Sequence, residues 1–494
     1  MNGRIPLLVA FGAGFLIAQA PAIVDRPEKL AFAPITFATP RAKDFKARLK
    51  NGIPVFIAPA DKDGTPLVRL TLLWRGGAYL SPDGKAGLAQ LFGGQLAQGG
   101  SAKLEPAKLE DRLEAMAATL SSSCGDTGGS LGLQVLDKDL AEGLDLFMQV
   151  LTEPAFAQDR LDLAKRQAGQ GLSRRNDAVT SIAAYQMGYL LNGDKHFSTA
   201  DPTAASLAAI TREDLLGFHA QLLHPTNLVV AVSGRFDRKA MLETLNRTLG
   251  ALKVGPAAKV SPKVPAPGFA RQPGIYVTDK DAPQASLQWA FPGMRRSDPD
   301  WHAAVVMNQI LGAGGFTSRL MKKIRSDEGL TYGVRTALGP GPHWQGDLTG
   351  GLQTKNRSMA YALRLALEEM RKLKDAPVPE EELNVTKEGL VESFPTQWAG
   401  RPAIVSRFAD ETLTGWPEDW WADYREKIRA VTAADVQRLA RRLLDPSKLV
   451  ILAVGKAADM ESGDPDHPGK LAEAASLPRS RLPLRDPLTL KPMN

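Results

Sequence analysis

An arginine and a tyrosine seven residues apart, Arg325 and Tyr332, are the pair in this sequence best placed to do chemistry. A guanidinium can grip a peptide carbonyl through fixed N–H groups, and a phenol can donate a hydrogen bond to a developing oxyanion. Both lie in FTSRLMKKIRSDEGLTYGV, residues 316–334. Thr317 or Ser318 is expected to cap a helix that opens on Leu320 and Met321. That helix should close at Arg325, placing Lys322, Lys323 and Arg325 at its negative end. Gly329 should end the turn, and Leu330–Val334 reads as the start of a strand. A short loop then holds the two side chains near each other. The same residues also fit a structural role, with Arg325 on helix-end carbonyls and Tyr332 half-buried in a strand.

Few other residues compete. Cys124 is the only cysteine, so no internal disulfide forms, and SSSCGDTGG places it as a small strand residue rather than a reactive thiol. Of the six histidines, His219 and His224 are five apart and miss the i, i+4 spacing that puts two ligands on one helix face. His196, His302, His343 and His467 read as surface or packing residues. There is no Gly-x-Ser-x-Gly elbow, and Leu311-Gly312-Ala313-Gly314-Gly315 has no nucleotide-binding context.

The elements that must position the pair follow from hydrophobic periodicity. Gly52–Ala58 and Val68–Trp74 are strands, Leu104–Leu120 is a helix and Ser130–Leu136 a strand. Helices follow over Leu140–Leu151, Ala157–Arg175, Ser181–Leu191 and Ile210–Leu223, and Asn227–Ser233 is a buried strand. After a strand at Ala285–Phe291 comes a helix at Trp301–Leu311. Hairpin-like strands mixed with long helices give an α+β class with mostly antiparallel sheets.

Residues 210–234, ITREDLLGFHAQLLHPTNLVVAVSG, align without gaps with 431–455, VTAADVQRLARRLLDPSKLVILAVG. Each copy has a threonine cap, an aspartate three residues on, an amphipathic helix, a proline, a buried strand and a glycine. The chain is therefore expected to be two copies of one fold. Between them, residues 255–274 hold five prolines and read as an extended linker. The resulting plan is a leader over 1–22, a first half over 30–253, a linker over 254–273, a second half over 274–460 and a Pro-rich tail over 461–494. The tail should be an irregular extension or stay mobile.

With 494 residues, 44% apolar and 23% charged, the chain can build real cores. Its formal charge of +7 comes without a dense Lys/Arg run interleaved with aromatics, which argues against nucleic acid. Arg4, the apolar run Ile5–Ala18 and Ala18-Gln19-Ala20 have the pattern of a secretory signal, too short for a comfortable membrane span. Pro21 is awkward for cleavage after Ala20, so Ala22 is an alternative end, and an uncleaved anchor stays open. The mature chain is expected to be periplasmic or otherwise exported, with no membrane span once the leader is gone.

Two similar halves, an exported chain and a helix-loop-strand bearing Arg and Tyr together resemble the pitrilysin family of zinc peptidases. Insulin-degrading enzyme and the mitochondrial processing peptidase are among its relatives. The resemblance covers roughly Gly52–Gly455 and rests on Ser318-Arg319-Leu320, Arg325, Gly329-Leu330 and Tyr332. It implies two homologous halves, built of paired α+β subdomains, that close like a clam around a peptide chamber.

The family's inverted zinc motif, H-x-x-E-H, should follow Gly87-Leu88-Ala89. In this chain Gln90-Leu91-Phe92-Gly93-Gly94 stands instead, so Gln90 and Gly94 replace both histidines and Gly93 the general-base glutamate. The third ligand, a glutamate, should fall near Gln170-Gly171, where no carboxylate stands. The resemblance thus implies a metal-free subunit, with zinc on a separate partner that carries H-x-x-E-H. Arg325 and Tyr332 would act in trans on peptide substrates bound as an added strand. The alternative is a non-catalytic structural or peptide-binding assembly protein of the same fold.

Overall fold

Val68, Leu70, Leu72 and Trp74 fall on one side of a strand because successive residues of an extended chain point to opposite faces. All four are buried in the computed structural model. That structure describes residues 37–60, 63–254, 263–341, 343–467, 469–473 and 475–493, with Arg26 and Leu30. The expected leader and residues 255–262 of the expected linker lie outside these. Residues Met1–Ala38 form one unit and Thr39–Asn494 another, and everything below belongs to the second.

The first sheet comprises β1 Lys46–Arg48, β2 Pro54–Pro59, β3 Leu67–Arg75, β4 Thr119–Cys124, β5 Gly128–Leu136 and β6 Leu228–Gly234, in the order β1-β2-β6-β3-β5-β4. Only β2 and β6 run parallel. The second comprises β7 Gly274–Asp279, β8 Gln284–Pro292, β9 Val334–Leu338, β10 Asp347–Lys355, β11 Val450–Gly455 and β12 Arg479–Arg481, in the order β12-β7-β11-β8-β10-β9. In this sheet β11–β7 and β12–β7 are parallel and the rest antiparallel. Apart from the outermost β1 and β12, the sheets share one order and one sense. The expected α+β class is what the fold shows, with one six-stranded sheet in each half.

The repeat sets equivalent elements. Thr211 and Asp214 form a capping box on the helix Arg212–Leu222, and Thr432 and Asp435 form the same box on Ala433–Leu443. Each helix passes through a turn begun by Pro225 or Pro446 into the buried strand β6 or β11.

Each half also lends a helix to the other's sheet. The helix Val179–Asn192 lays Val179, Ile182, Ala183, Met187 and Leu191 on Ala290, Val450, Leu452 and Val454. The helix Arg401–Thr414 returns the exchange: Phe408 stacks on Phe56 at 5.9 Å, and Arg75 donates to the carbonyl oxygens of Leu413 and Thr412 at 2.6 and 2.9 Å. The Leu413 carbonyl ends the helix unpaired within it and the Thr412 carbonyl takes only a long bond from the Gly415 N–H at 3.4 Å, so the guanidinium satisfies them.

The tail is tied down along much of its length. Its β12 extends the second sheet beside β7, and the next residues cross to the first half. Gln186, Asn176 and Arg175 donate to the carbonyl oxygens of Pro483, Arg485 and Pro487 at 2.9, 2.8 and 3.0 Å. The Arg485 guanidinium lies 4.1 Å from the Tyr189 ring centre and 3.2 Å from Asp194. Prolines break any regular strand pattern there, while side-chain donors from another element, invisible in sequence, fix the chain.

Candidate functional site

The segment that carries the pair is wound differently from expectation. Thr317 and Ser318 do not cap forward: their hydroxyls donate backward, to the carbonyl oxygens of Gly314 at 2.9 Å and Gly315 at 2.7 Å. Such local bonds compete with a cap. Met321–Asp327 then forms a wide π-helical turn with Leu320, Met321 and Ile324 buried. Gly329, at φ +64° with open space where a Cβ would stand, ends it.

The strand begins at Val334, so Tyr332 is not a strand residue. Thr331 donates its hydroxyl to the Gln353 carbonyl at 2.7 Å, replacing a ladder bond, and Thr354 donates to the Leu330 carbonyl at 2.7 Å. A bend pinned on both sides presents Tyr332 to solvent, 92% exposed rather than half-buried.

The structure does bring Arg325 and Tyr332 together. The guanidinium carbon lies 5.4 Å from the Tyr332 ring centre and 4.6 Å from that of Phe316. Phe316, 68% exposed, is the neighbour to which sequence reasoning assigns no role. Its one signal is an aromatic residue after Gly314-Gly315, where a turn and not a core is expected. Among the described residues, neither Arg325 nor the Tyr332 hydroxyl has a hydrogen-bond or acidic partner.

The other half of a pitrilysin-type site would fall on the helix Leu88–Gln98. A Cβ at Gly93 would stand 2.1 Å from the Cys124 backbone nitrogen and 2.6 Å from the Ser123 carbonyl carbon. The helix thus rests directly on β4. Ser122 completes the seam, donating to the Gly93 carbonyl and accepting from the Ala97 N–H at 2.9 Å. A glutamate at position 93 has no room, Gln90 and Gly94 offer no imidazole, and the helix Gln158–Ser173 presents Gln170 and Gly171 where a third ligand belongs. A zinc ion does not fit these residues.

The second half shows what this packing is. Trp74 pairs with Gly129, which pairs with Cys124, against which Gly93 rests. Trp289 pairs with Gly350, which pairs with Thr336, against which Gly312 rests, a Cβ there lying 2.9 Å from the Thr336 nitrogen. Both strand glycines are required, since a Cβ would enter the tryptophan ring at 2.3 Å and 2.4 Å respectively. The first-half helix therefore sits on its edge strand as the second-half helix does.

The remaining titratable candidates are packing groups. Burial pushes the Cys124 thiol up to about 12, leaving it protonated and inert. Burial holds His219 below its ordinary value while its ring nitrogen bonds the Leu151 carbonyl at 2.7 Å. His302 stacks on Trp420 at 5.2 Å, and burial lowers it to about 4. His196 lies 3.1 Å from the Pro265 carbonyl. Among the described residues, no group of three or more His, Cys, Asp or Glu is placed to hold a metal.

Residues 209–390 match the family model described as Peptidase M16 inactive domain. A Helicobacter pylori protein described as the non-peptidase homolog YmxG is 27% identical over 67% of this chain and 75% of its own length. An uncharacterized zinc protease of Mycobacterium leprae is 28% identical over 41% of this chain, a match spanning 46% of that protein. Among solved structures, a peptidase M16 inactive domain from Pseudomonas fluorescens is similar at a TM-score of 0.73 and 26% identity, over 83% of this chain and 97% of that one. The Escherichia coli periplasmic protease PqqL shares the fold at a TM-score of 0.72 and 17% identity, over 86% of this chain and 46% of its own. With two matched sheets, the Arg325/Tyr332 segment and a helix without metal ligands already in place, these likenesses support reading the chain as an inactive relative of the pitrilysin (M16) peptidases, without the H-x-x-E-H residues.

Proposed function

We propose that this chain is the metal-free subunit of a two-chain, exported peptidase, and that it presents Arg325 and Tyr332 to peptide held between it and a zinc-bearing partner. The observation that carries the reading is that a half-buried Arg325 and an exposed Tyr332 are gathered at one point and engaged by no acid or hydrogen-bond acceptor among the described residues. A fold that used them for stability would bury or pair them. A zinc-bearing partner with H-x-x-E-H would supply an activated water and a polarised scissile carbonyl. Arg325 then fixes the peptide backbone beside the cut, and the Tyr332 hydroxyl donates to the oxyanion. Export rests on the leader-like Ile5–Ala18 run and accords with the description of PqqL as a periplasmic protease.

The test is co-purification with an H-x-x-E-H protein from the same organism, followed by a peptidase assay of the pair. Tyr332→Phe should lower turnover on the order of a hundredfold while the two chains still co-purify. Unchanged turnover, or a partner equally active alone, would overturn the reading. The description of the Helicobacter relative as a non-peptidase homolog favours a second one, a peptide-binding or assembly protein without catalysis. It predicts peptide binding by this chain and no stimulation of any peptidase.

A further inference from the structure

We infer that Phe316, Arg325 and Tyr332 form a clamp selective for peptide carboxylates, with Phe316 the residue that positions the arginine. The inference takes the peptide-holding role proposed above as its premise and names the class of peptide. Rings that stack on a guanidinium use its flat face and leave its in-plane N–H groups for acceptors. At Arg325 two rings do this, at 4.6 Å and 5.4 Å, and both are largely exposed.

Two of the nearby acids are engaged elsewhere. Glu328 accepts from Lys323 at 2.7 Å and from Tyr361 at 2.9 Å, and Glu382 takes Arg319 in a two-bonded pair at 2.9 and 2.6 Å. Asp327 acts on Lys323. Arg325 itself has no acidic partner among the described residues, so its charge is left for a ligand. A backbone carbonyl fills only one bond of a guanidinium, and the N–H groups left open form a planar fork that matches a carboxylate bidentately. Apolar side chains next to that carboxylate would lie on the Phe316 and Tyr332 rings. Phe316 reaches this place because Gly315, at φ +60°, turns the chain outward just before it.

The experiment uses the full chain alone and short fluorescein-labelled, C-terminally amidated peptides that alternate leucine with glutamate, glutamine or lysine. Fluorescence polarisation should show the glutamate peptide binding about tenfold more tightly than the glutamine one, and the lysine peptide weakest. Phe316→Ala should weaken the glutamate peptide roughly two- to fivefold and Phe316→Tyr should restore it, with urea unfolding unchanged in both. Equal binding of the glutamate and glutamine peptides, no binding of either, or a Phe316→Ala Kd matching the parent would each overturn the clamp. Because no partner is present, glutamate-selective binding combined with failure of the co-purified pair to cleave removes the peptidase reading and keeps the clamp.

Discussion

Two adjacent glycines in one helix should respond in opposite directions to the same substitution. Replacing glycine by alanine inside a helix is worth about 1 kcal/mol when nothing else changes. At Gly94 a Cβ meets nothing within 4 Å, so Gly94→Ala should stabilise by that amount. At Gly93 the new methyl stands 2.1 Å from the Cys124 nitrogen, and the obstacle is backbone, which cannot rotate away. The helix and β4 must part by more than about 1 Å to restore van der Waals distance. Parting them strains the two Ser122 hydrogen bonds, at about 1 kcal/mol each, and disturbs a packed seam at a cost of about 1–3 kcal/mol. Set against the helical gain, Gly93→Ala should destabilise by about 2–4 kcal/mol. Urea unfolding followed by tryptophan fluorescence reads both: the midpoint should rise for Gly94→Ala and fall for Gly93→Ala at an unchanged slope. If Gly93→Ala stabilised like its neighbour, the close approach on β4 would be wrong, and the steric objection to a zinc site on this helix would fall with it.

Other perturbations test separate parts of the structure. Restoring the motif as Gln90→His, Gly93→Glu and Gly94→His should yield no stoichiometric zinc in equilibrium dialysis, because β4 occupies the space a glutamate needs. Ending the chain after Pro478 removes β12 and the strap on Gln186, Asn176 and Arg175, so hydrogen exchange in the helix Val179–Asn192 should quicken while the helix Leu88–Gln98 is unaffected. His302, held near 4 when folded against 6.5 when free, lets the unfolded chain take the proton first as the medium is acidified. Stability from this group is therefore complete above pH 6.5 and is lost progressively down to pH 4, by up to about 3 kcal/mol. His302→Phe should flatten that part of the pH–stability curve.

What the sequence discloses and what it withholds divide along a physical line. The capping boxes at Thr211 and Thr432 and the buried runs of β6 and β11 are local patterns, and they make the repeat legible. Trp74 and Trp289 are visible as core residues, but their glycine partners Gly129 and Gly350 lie on other strands and carry no local sign. Tyr332 reads as a strand residue because apolar and β-branched residues surround it; two threonine hydroxyls, bonding to or from β10, take the ladder's place. Phe316 escapes notice because an exposed aromatic in a turn looks like noise until the side chain facing it is known.

The near-symmetry of the two halves bears on where the proposed function would sit. Each half leads its edge strand in with a turn after a helix, Pro106–Ala115 before β4 and Met321–Asp327 before β9. In the first half the last-turn arginine, Arg112, is neutralised by Glu142 through bonds of 2.9 and 2.6 Å, and Ala117 and Ala118 lead into the strand. In the second, Arg325 has no acid among the described residues, and two exposed rings stand over it. Leaving Phe316 and Tyr332 in water forgoes about 1.5–3 kcal/mol of burial apiece by the usual scale for large apolar side chains, against at most about 1 kcal/mol recovered by each exposed cation–π contact. Packing alone would favour the first-half solution, a paired arginine and small residues. The second half keeps the costlier arrangement, and the proposed ligand, covering both rings while meeting the arginine's open N–H groups, would reverse the balance.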